Sequence, residues 1–325
     1  MGIFDRIIKR ASPDPVVSRA FSFPSDLWVD GPHPDRHIET LLDKGQIDET
    51  MAERLTMFVE KGYLLLHIDD EDLLDELVAD IDRAWAEKPA NVAYAFRSGP
   101  ILMSEAVNEH RFHTCRLIDM HEFSPAAMKL YLYDQIFRYL RVIFGEEPVA
   151  TQSLTFEWGS QQALHRDPVH VVMTPPSHLV AAWIALEDAG PHCGPLTYVP
   201  GSHRLPYYEF EPGQYRYRHG VYGDAEALAA AAWEQERCRE SGLEPVTLTC
   251  KKGDVLLWHH SLLHGGRTVE DQNLTRKSFV VHYSTKSSMV EIQNMYGVGA
   301  NQEIKSSTTL HELNGNFGFR SPLGV

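Results

Sequence analysis

Leu164-His165-Arg166-Asp167-Pro168-Val169-His170-Val171 is the stretch whose reading decides this chain. Side chains of an extended segment alternate, so His165 and Asp167 share one side and Arg166 takes the other. An imidazole and a carboxylate on one side are a ready pair of ligands for a divalent metal. With 17 histidines in the chain such a pair arises by chance, so it needs a third partner. One stands 99 residues on, from position 165 to 264. There Gly253-Asp254-Val255-Leu256-Leu257-Trp258 reads as a strand that runs through His259-His260-Ser261-Leu262-Leu263 into His264-Gly265-Gly266. His165, Asp167 and His264 make a set of two histidines and one carboxylate that leaves three metal positions open, the arrangement of non-haem Fe(II) oxygenases. The plain alternative is three polar residues satisfied by hydrogen bonds.

Composition bounds the rest. A chain of 325 residues holds one large β domain with helical additions, or two smaller domains. Hydrophobic residues make up 43%, and no apolar run approaches the ~20 residues of a membrane helix. Met1-Gly2-Ile3-Phe4-Asp5-Arg6 lacks the apolar core of a signal peptide, and Arg6 stands where a myristoylation signal carries Ser or Thr. The expectation is a cytoplasmic protein without membrane association. The formal charge of −15 suits a polyanion poorly, so no nucleic-acid partner is expected. Cys115, Cys193, Cys238 and Cys250 are widely spaced and read as free thiols in a reducing compartment.

Prolines 13, 15, 24, 32 and 34 mark residues 1–45 as an extended N-terminal arm. Helices are expected over 48–61, stopped by Gly62, and over 69–85, with a strand at 63–68 between them. Ser124-Pro125 starts another helix, expected to run unbroken to Gly145. From Thr151 the period becomes strand-like: 154–158, 179–186, 196–199, 246–250, 255–258 and 276–283 are short strands between Gly, Pro and polar clusters. An alanine-rich helix, 224–240, interrupts them.

Several motifs in order then resemble the phytanoyl-CoA dioxygenase family of Fe(II)/2-oxoglutarate oxygenases. They are His165-x-Asp167, Ala182-Trp183-Ile184-Ala185-Leu186-Glu187-Asp188, Gly194-Pro195-Leu196-Thr197-Tyr198-Val199-Pro200-Gly201-Ser202-His203-Arg204, His264-Gly265-Gly266 and Arg276. The likeness is close over about 150–285, and looser at 58–66. It implies a mainly β protein with flanking helices around a double-stranded β-helix, a jelly-roll of cupin type. The implied organisation is one domain over 46–325: a helical buttress at 46–149, a β-helix core at 150–285 carrying the 224–240 insert, and a C-terminal segment at 286–325. The insert either covers the cavity mouth, as in relatives, or caps the surface.

The resemblance also assigns roles. His165, Asp167 and His264 would bind Fe(II). Arg276, 12 residues after His264, would hold the C5 carboxylate of 2-oxoglutarate, because arginine supplies a planar, permanently charged fork. Arg276, Ser278, Val280 and His282 share a face by period two, which favours Arg276 over Arg267. Trp183 would pack beside the cosubstrate, and Gln152 or Thr151 would offer it a polar contact. His259 and His260 crowd the distal ligand, and one is a candidate to orient it. Candidate substrate-lining residues are His170, Met173, Arg204, Tyr207, Tyr208 and the Arg216-Tyr217-Arg218-His219 cluster. In halogenating relatives a small residue replaces the carboxylate; Asp167 is present, which favours hydroxylation.

The expected function is an Fe(II)- and 2-oxoglutarate-dependent dioxygenase that uses O2 to oxidise an unactivated C–H of a small molecule, releasing succinate and CO2. Secondary metabolites, lipids and acyl thioesters are the substrate classes in view, and the oligomeric state is open. The rivals are a cupin-type metal-dependent hydrolase or isomerase, and a non-catalytic β-helix binding module.

Overall fold

The computed structural model describes residues 20–21, 25–96, 101–111, 115–218, 221–291 and 310–320. Helix α1 (Pro34–Asp43) lies inside the segment expected to be an extended arm. Pro34 at its first position supplies the fixed φ of a helix start, so the proline run hid a helix signal rather than excluding one. Helix α2 (Glu49–Lys61) follows, capped by Asp48, whose carboxylate accepts from the Met51 N–H at 2.7 Å. Gly62 ends it in the left-handed region at φ 81°, where a Cβ would stand 2.6 Å from the His203 ring. Helix α3 (Glu71–Glu87) is capped in the same way by Asp70.

The helix expected over 125–144 is two: α4 (Pro125–Tyr131) and α5 (Asp134–Phe144). No local breaker lies between them. The break is tertiary: Asn316 Nδ2, from a hairpin far along the chain, donates to Leu132 O at 2.8 Å and to Asp134 Oδ1 at 2.6 Å. Helix α6 (Asp224–Glu240) matches the expected insert.

The strands, in chain order, are β1 (Ala20–Phe21), β2 (Tyr63–His67), β3 (Ala93–Phe96), β4 (Ile101–Leu102), β5 (Cys115–Ile118), β6 (Pro148–Phe156), β7 (Val172–Thr174), β8 (Val180–Ala185) and β9 (Leu196–Tyr198). They continue with β10 (Tyr207–Tyr208), β11 (Val246–Thr247), β12 (Asp254–His259), β13 (His264–Gly266), β14 (Ser278–Thr285), β15 (Met289–Glu291), β16 (Leu310–Leu313) and β17 (Asn316–Phe319). The large sheet runs β2-β12-β8-β14-β6-β5-β3-β4, with hairpin β16–β17 joined to β6 through Phe317 and Gly318. A smaller sheet runs β11-β9-β13.

Period two divides the large sheet into two buried faces. Leu64, Leu257, Ala182, Ile184, Phe279 and Val281 point outward onto the helices, among Phe58, Leu74, Phe137 and Leu140. Leu256, Trp258, Ala181, Trp183 and Val280 point inward, where Leu196 and Tyr198 of the smaller sheet meet them. This is the expected jelly-roll core with helices on one face; the large sheet stays open rather than closing into a barrel. Among the described residues no helix is long and apolar enough to cross a membrane.

Helix α6 is fixed by one buried ion pair rather than by an apolar stripe. Arg166 is 1% exposed, and its guanidinium donates to Glu234 Oε2 at 2.7 Å and to Leu205 O at 2.8 Å, over the Tyr207 ring at 4.5 Å. Removing one member of a buried pair strands the other charge. Glu234→Ala is therefore expected to lower the unfolding free energy by about 3–5 kcal/mol, and Glu234→Gln by less, because the amide oxygen still accepts. Urea midpoints check this; equal stability of Glu234→Ala and the parent would refute it.

Candidate active site

His165 and His264 come together because their backbones pair. The His165 N–H donates to His264 O at 2.9 Å, and the His264 N–H returns to His165 O at 3.0 Å. Gly265 and Gly266 permit this approach: a Cβ on Gly265 would stand 2.7 Å from Gln162 O, and one on Gly266 2.6 Å from Ser160 Oγ. Asp167 is not on an extended strand, as the alternation assumed; it opens a 3-10 turn, Asp167–Val169. Pro168 is at home inside such a turn. The turn still brings the carboxylate to the two imidazoles, while Arg166 points away into its ion pair.

Each ligand candidate is oriented by a second contact. His165 Nδ1 lies 2.9 Å from Ala163 O, and His264 Nδ1 3.0 Å from Leu262 O. A carbonyl can only accept, so each Nδ1 carries the proton and each Nε2 keeps its lone pair for a metal. Asp167 Oδ2 accepts from Trp258 Nε1 at 2.8 Å, which leaves Oδ1 facing His264 Nε2 at 3.5 Å and His282 Nε2 at 3.9 Å. One donor atom from each of His165, Asp167 and His264 lies within 4.8 Å of the others. Burial pushes the Asp167 carboxyl up, but His264, His282 and His165 together outweigh it and hold it well below the usual carboxylate range. Burial, then His264 and His170, push His165 well below the ordinary imidazole value. A charged Asp167 carboxylate beside a neutral His165 imidazole suits a divalent ion, whose ligands must be deprotonated. These residues fit Fe(II).

The set opens on a cavity of about 320 Å³, the size of a small-molecule site. Arg276 lines it at 2% exposure, its Nε and Nη1 buried without a hydrogen-bond partner, and its guanidinium 5.6 Å from the Trp183 ring. Burial lowers its pKa to about 10, so the charge persists at neutral pH. Trp183 and Gln152 line the same cavity. Thr151 does not; its hydroxyl donates to His282 O at 2.9 Å in a bulge of the β6–β14 ladder. Arg267 is exposed and reaches Thr247 Oγ1 at 3.2 Å.

Of the substrate-lining candidates, His170 and Tyr217 reach the cavity. Met173 packs instead with Val149, Leu179 and Phe319. Arg204 and Tyr207 turn with His259 and His260 toward a separate polar hollow beside Asp30. Tyr208 meets Trp233 of α6, Arg216 and Arg218 lie against Tyr215 and Tyr222, and His219 is outside the described residues. Three residues of the site carried no sequence motif. Trp258 and His282 address Asp167, and their inward period-two positions were the available signal. Arg116 on β5 lines the cavity with its Nε buried and unpartnered; it sits on a strand that the sequence did not reveal.

The chain is an antiparallel jelly-roll carrying an inward set of two imidazoles and a carboxylate that could hold a metal ion. Residues 37–278 match the model of the phytanoyl-CoA dioxygenase (PhyH) family, and the chain belongs to that family. Fe(II) and 2-oxoglutarate are that family's cofactors. It is 24% identical over 167 residues to the peroxisomal phytanoyl-CoA dioxygenase of Bos taurus, covering 50% of this chain and 43% of that protein. Against the mouse (Mus musculus) counterpart it is 20% identical over 284 residues, covering 82% of this chain and 77% of that one. The chain thus matches less than half the length of the bovine relative. Among solved structures, the α-ketoglutarate-dependent epimerase SnoN from nogalamycin biosynthesis superposes with a TM-score of 0.56 at 17% identity, over 84% of this chain and 98% of that one. EctD from S. alaskensis gives 0.53 at 23%, over 75% and 79%. At these identities the structural likeness speaks for the fold.

The buried imidazoles set a pH dependence. Burial holds His203 at about 3 and pushes His165 and His260 well below 6.5. Their folded pKa values lie under the unfolded one, so the unfolded chain takes up protons first as pH falls. Stability of the metal-free protein is fully present above about pH 6.5 and declines from there toward pH 3. Urea midpoints in chelator at about pH 7.5 and pH 5 should differ in that direction; equal midpoints would contradict it.

Proposed function

We propose that this chain is an Fe(II)- and 2-oxoglutarate-dependent dioxygenase that hydroxylates, or otherwise oxidises, an unactivated C–H of a small molecule, with succinate and CO2 as co-products. The observation that supports it most is the meeting of the His165–Asp167–His264 set and the unpartnered Arg276 guanidinium in one cavity. A cupin-type hydrolase or isomerase would use the same three ligands but gives that buried charge no task.

When bound, the iron couples oxidative decarboxylation of 2-oxoglutarate to activation of O2 and so supplies the oxidant. The chain's own part is positional. Arg276 pairs with the distal carboxylate of the cosubstrate, which returns to the guanidinium the partner that burial withheld. Trp183 and Gln152 bound the cosubstrate on the large sheet. Leu154, Phe156, Leu196 and Val280 supply the apolar part of a cavity otherwise lined by polar and charged side chains. Trp258 and His282 address Asp167, whose carboxylate would take the position that a halide takes in halogenating relatives, so hydroxylation or a related oxidation is favoured over halogenation. Arg116 gives the cavity a second cationic wall, and we take the substrate to carry an acidic group.

The test is succinate release by the Fe(II)-loaded protein across a panel of metabolites, lipids and acyl thioesters, acids and their neutral analogues alike. Arg276→Ala should raise the apparent 2-oxoglutarate constant about 30-fold to several thousand-fold, the equivalent of roughly 2–5 kcal/mol. Arg276→Lys should recover part of this, since the ammonium keeps the charge but loses the fork. Arg267→Ala should change little, and Arg116→Ala should raise KM for an acidic substrate more than for 2-oxoglutarate. Loss in Arg267→Ala without loss in Arg276→Ala would reverse the assignment; no loss in either would favour the cupin-type reading.

A further inference from the structure

Strand β6 has a second face. Gln152 and Leu154 look into the cavity, and Ser153 between them looks the other way, toward the helices. Its Oγ lies 2.7 Å from Nδ1 of His121, in the 3-10 turn Met120–Glu122. His121 is 3% exposed and stacks flat on Tyr131, ring centroids 3.8 Å apart at 9°. Its Nε2 is buried and makes no hydrogen bond. The Phe319 carbonyl, which accepts from the Tyr131 hydroxyl at 3.3 Å, is also a backbone neighbour of the His121 ring, without forming a well-aligned hydrogen bond to Nε2.

Two further donors converge on that nitrogen. Glu122 Oε1 stands 3.7 Å from it, and His311 Nε2, from hairpin β16–β17, stands 2.9 Å from the same oxygen. One donor atom from each of the three residues lies within 4.8 Å of the others. We propose that His121, Glu122 and His311 form a second divalent-cation site, separate from the active site and suited to Zn²⁺.

The donor chemistry fits. Two imidazole nitrogens and one carboxylate oxygen are zinc ligands, with a water completing a tetrahedron. Bonds of about 2.0–2.2 Å place tetrahedral donors roughly 3.3–3.6 Å apart. The 2.9 and 3.7 Å separations bracket that span, so small rotamer adjustments close the site. Ser153 supplies the contact to the opposite ring nitrogen that zinc-binding histidines ordinarily have. An ordinary hydrogen bond between His311 and Glu122 explains that pair alone and leaves a buried imidazole nitrogen unsatisfied, a costly state. A cation accounts for all three side chains. It would also fasten hairpin β16–β17 to residues 189 positions earlier, adding to the pairing of Phe317 and Gly318 with β6 and to the Asn316 bonds to Leu132 and Asp134.

The site is independent of the proposed activity, and the test keeps the two apart. Chain stripped with chelator and equilibrated with Zn²⁺ is assayed for bound metal after desalting, in the parent, in His311→Ala, in a His165→Ala/His264→Ala background, and in that background with His311→Ala or Glu122→Gln. The parent should hold two ions per chain and His311→Ala one. The active-site double variant should retain one, and adding His311→Ala should remove it, with Glu122→Gln weakening it. In the double variant Zn²⁺ should slow amide exchange over 310–313, and with His311→Ala it should not. No zinc retained by the active-site double variant, or zinc content indifferent to His311→Ala in both backgrounds, would overturn the site; one ion in a parent that loses it with His311→Ala would instead count against zinc at the active-site set.

Discussion

Two backbone hydrogen bonds, exchanged between His165 and His264, hold the rest of the site in place. They join residues far apart in sequence at the one point where the loop after β6 meets the strand after β12. An ion cannot gather its ligands from an unfolded chain without entropic cost, and here the sheet meets that cost beforehand. The glycines that follow His264 belong to the same constraint, since no side chain fits where 160–163 passes beneath them.

Orientation is then inherited outward. Backbone carbonyls fix both imidazoles, the Trp258 indole fixes one carboxylate oxygen, and Arg166 ties the ligand loop to α6 through Glu234. The helix that the sequence left undecided between lid and surface cap is thereby coupled to the backbone between the two ligand candidates His165 and Asp167. It packs by a buried charge, which explains why its alanine-rich sequence shows so little of its attachment.

Much of this was legible beforehand because it is periodic or local. The inward face of β14 followed from alternation, which placed Arg276, Val280 and His282 together before any coordinates. The caps at Asp48 and Asp70 and the stop at Gly62 are local chemistry. What was hidden depends on distant partners. Asn316 splits a continuous helical pattern at Leu132, Arg116 sits on a short strand without a motif, and Asp167 leaves the extended conformation at Pro168. His121 and His311 had no spacing to connect them, since only the β16–β17 hairpin brings them together.

The central claim is that His165, Asp167 and His264 hold Fe(II) with positions left for 2-oxoglutarate in the Arg276 cavity. Its most direct measurement is the visible spectrum of the protein loaded anaerobically with Fe(II), before and after 2-oxoglutarate is added. A charge-transfer band that appears with the cosubstrate, saturates at one equivalent, and is absent from Asp167→Ala and His264→Ala is the predicted result. No band in the parent despite one bound iron, or an undiminished band in those variants, would contradict the account.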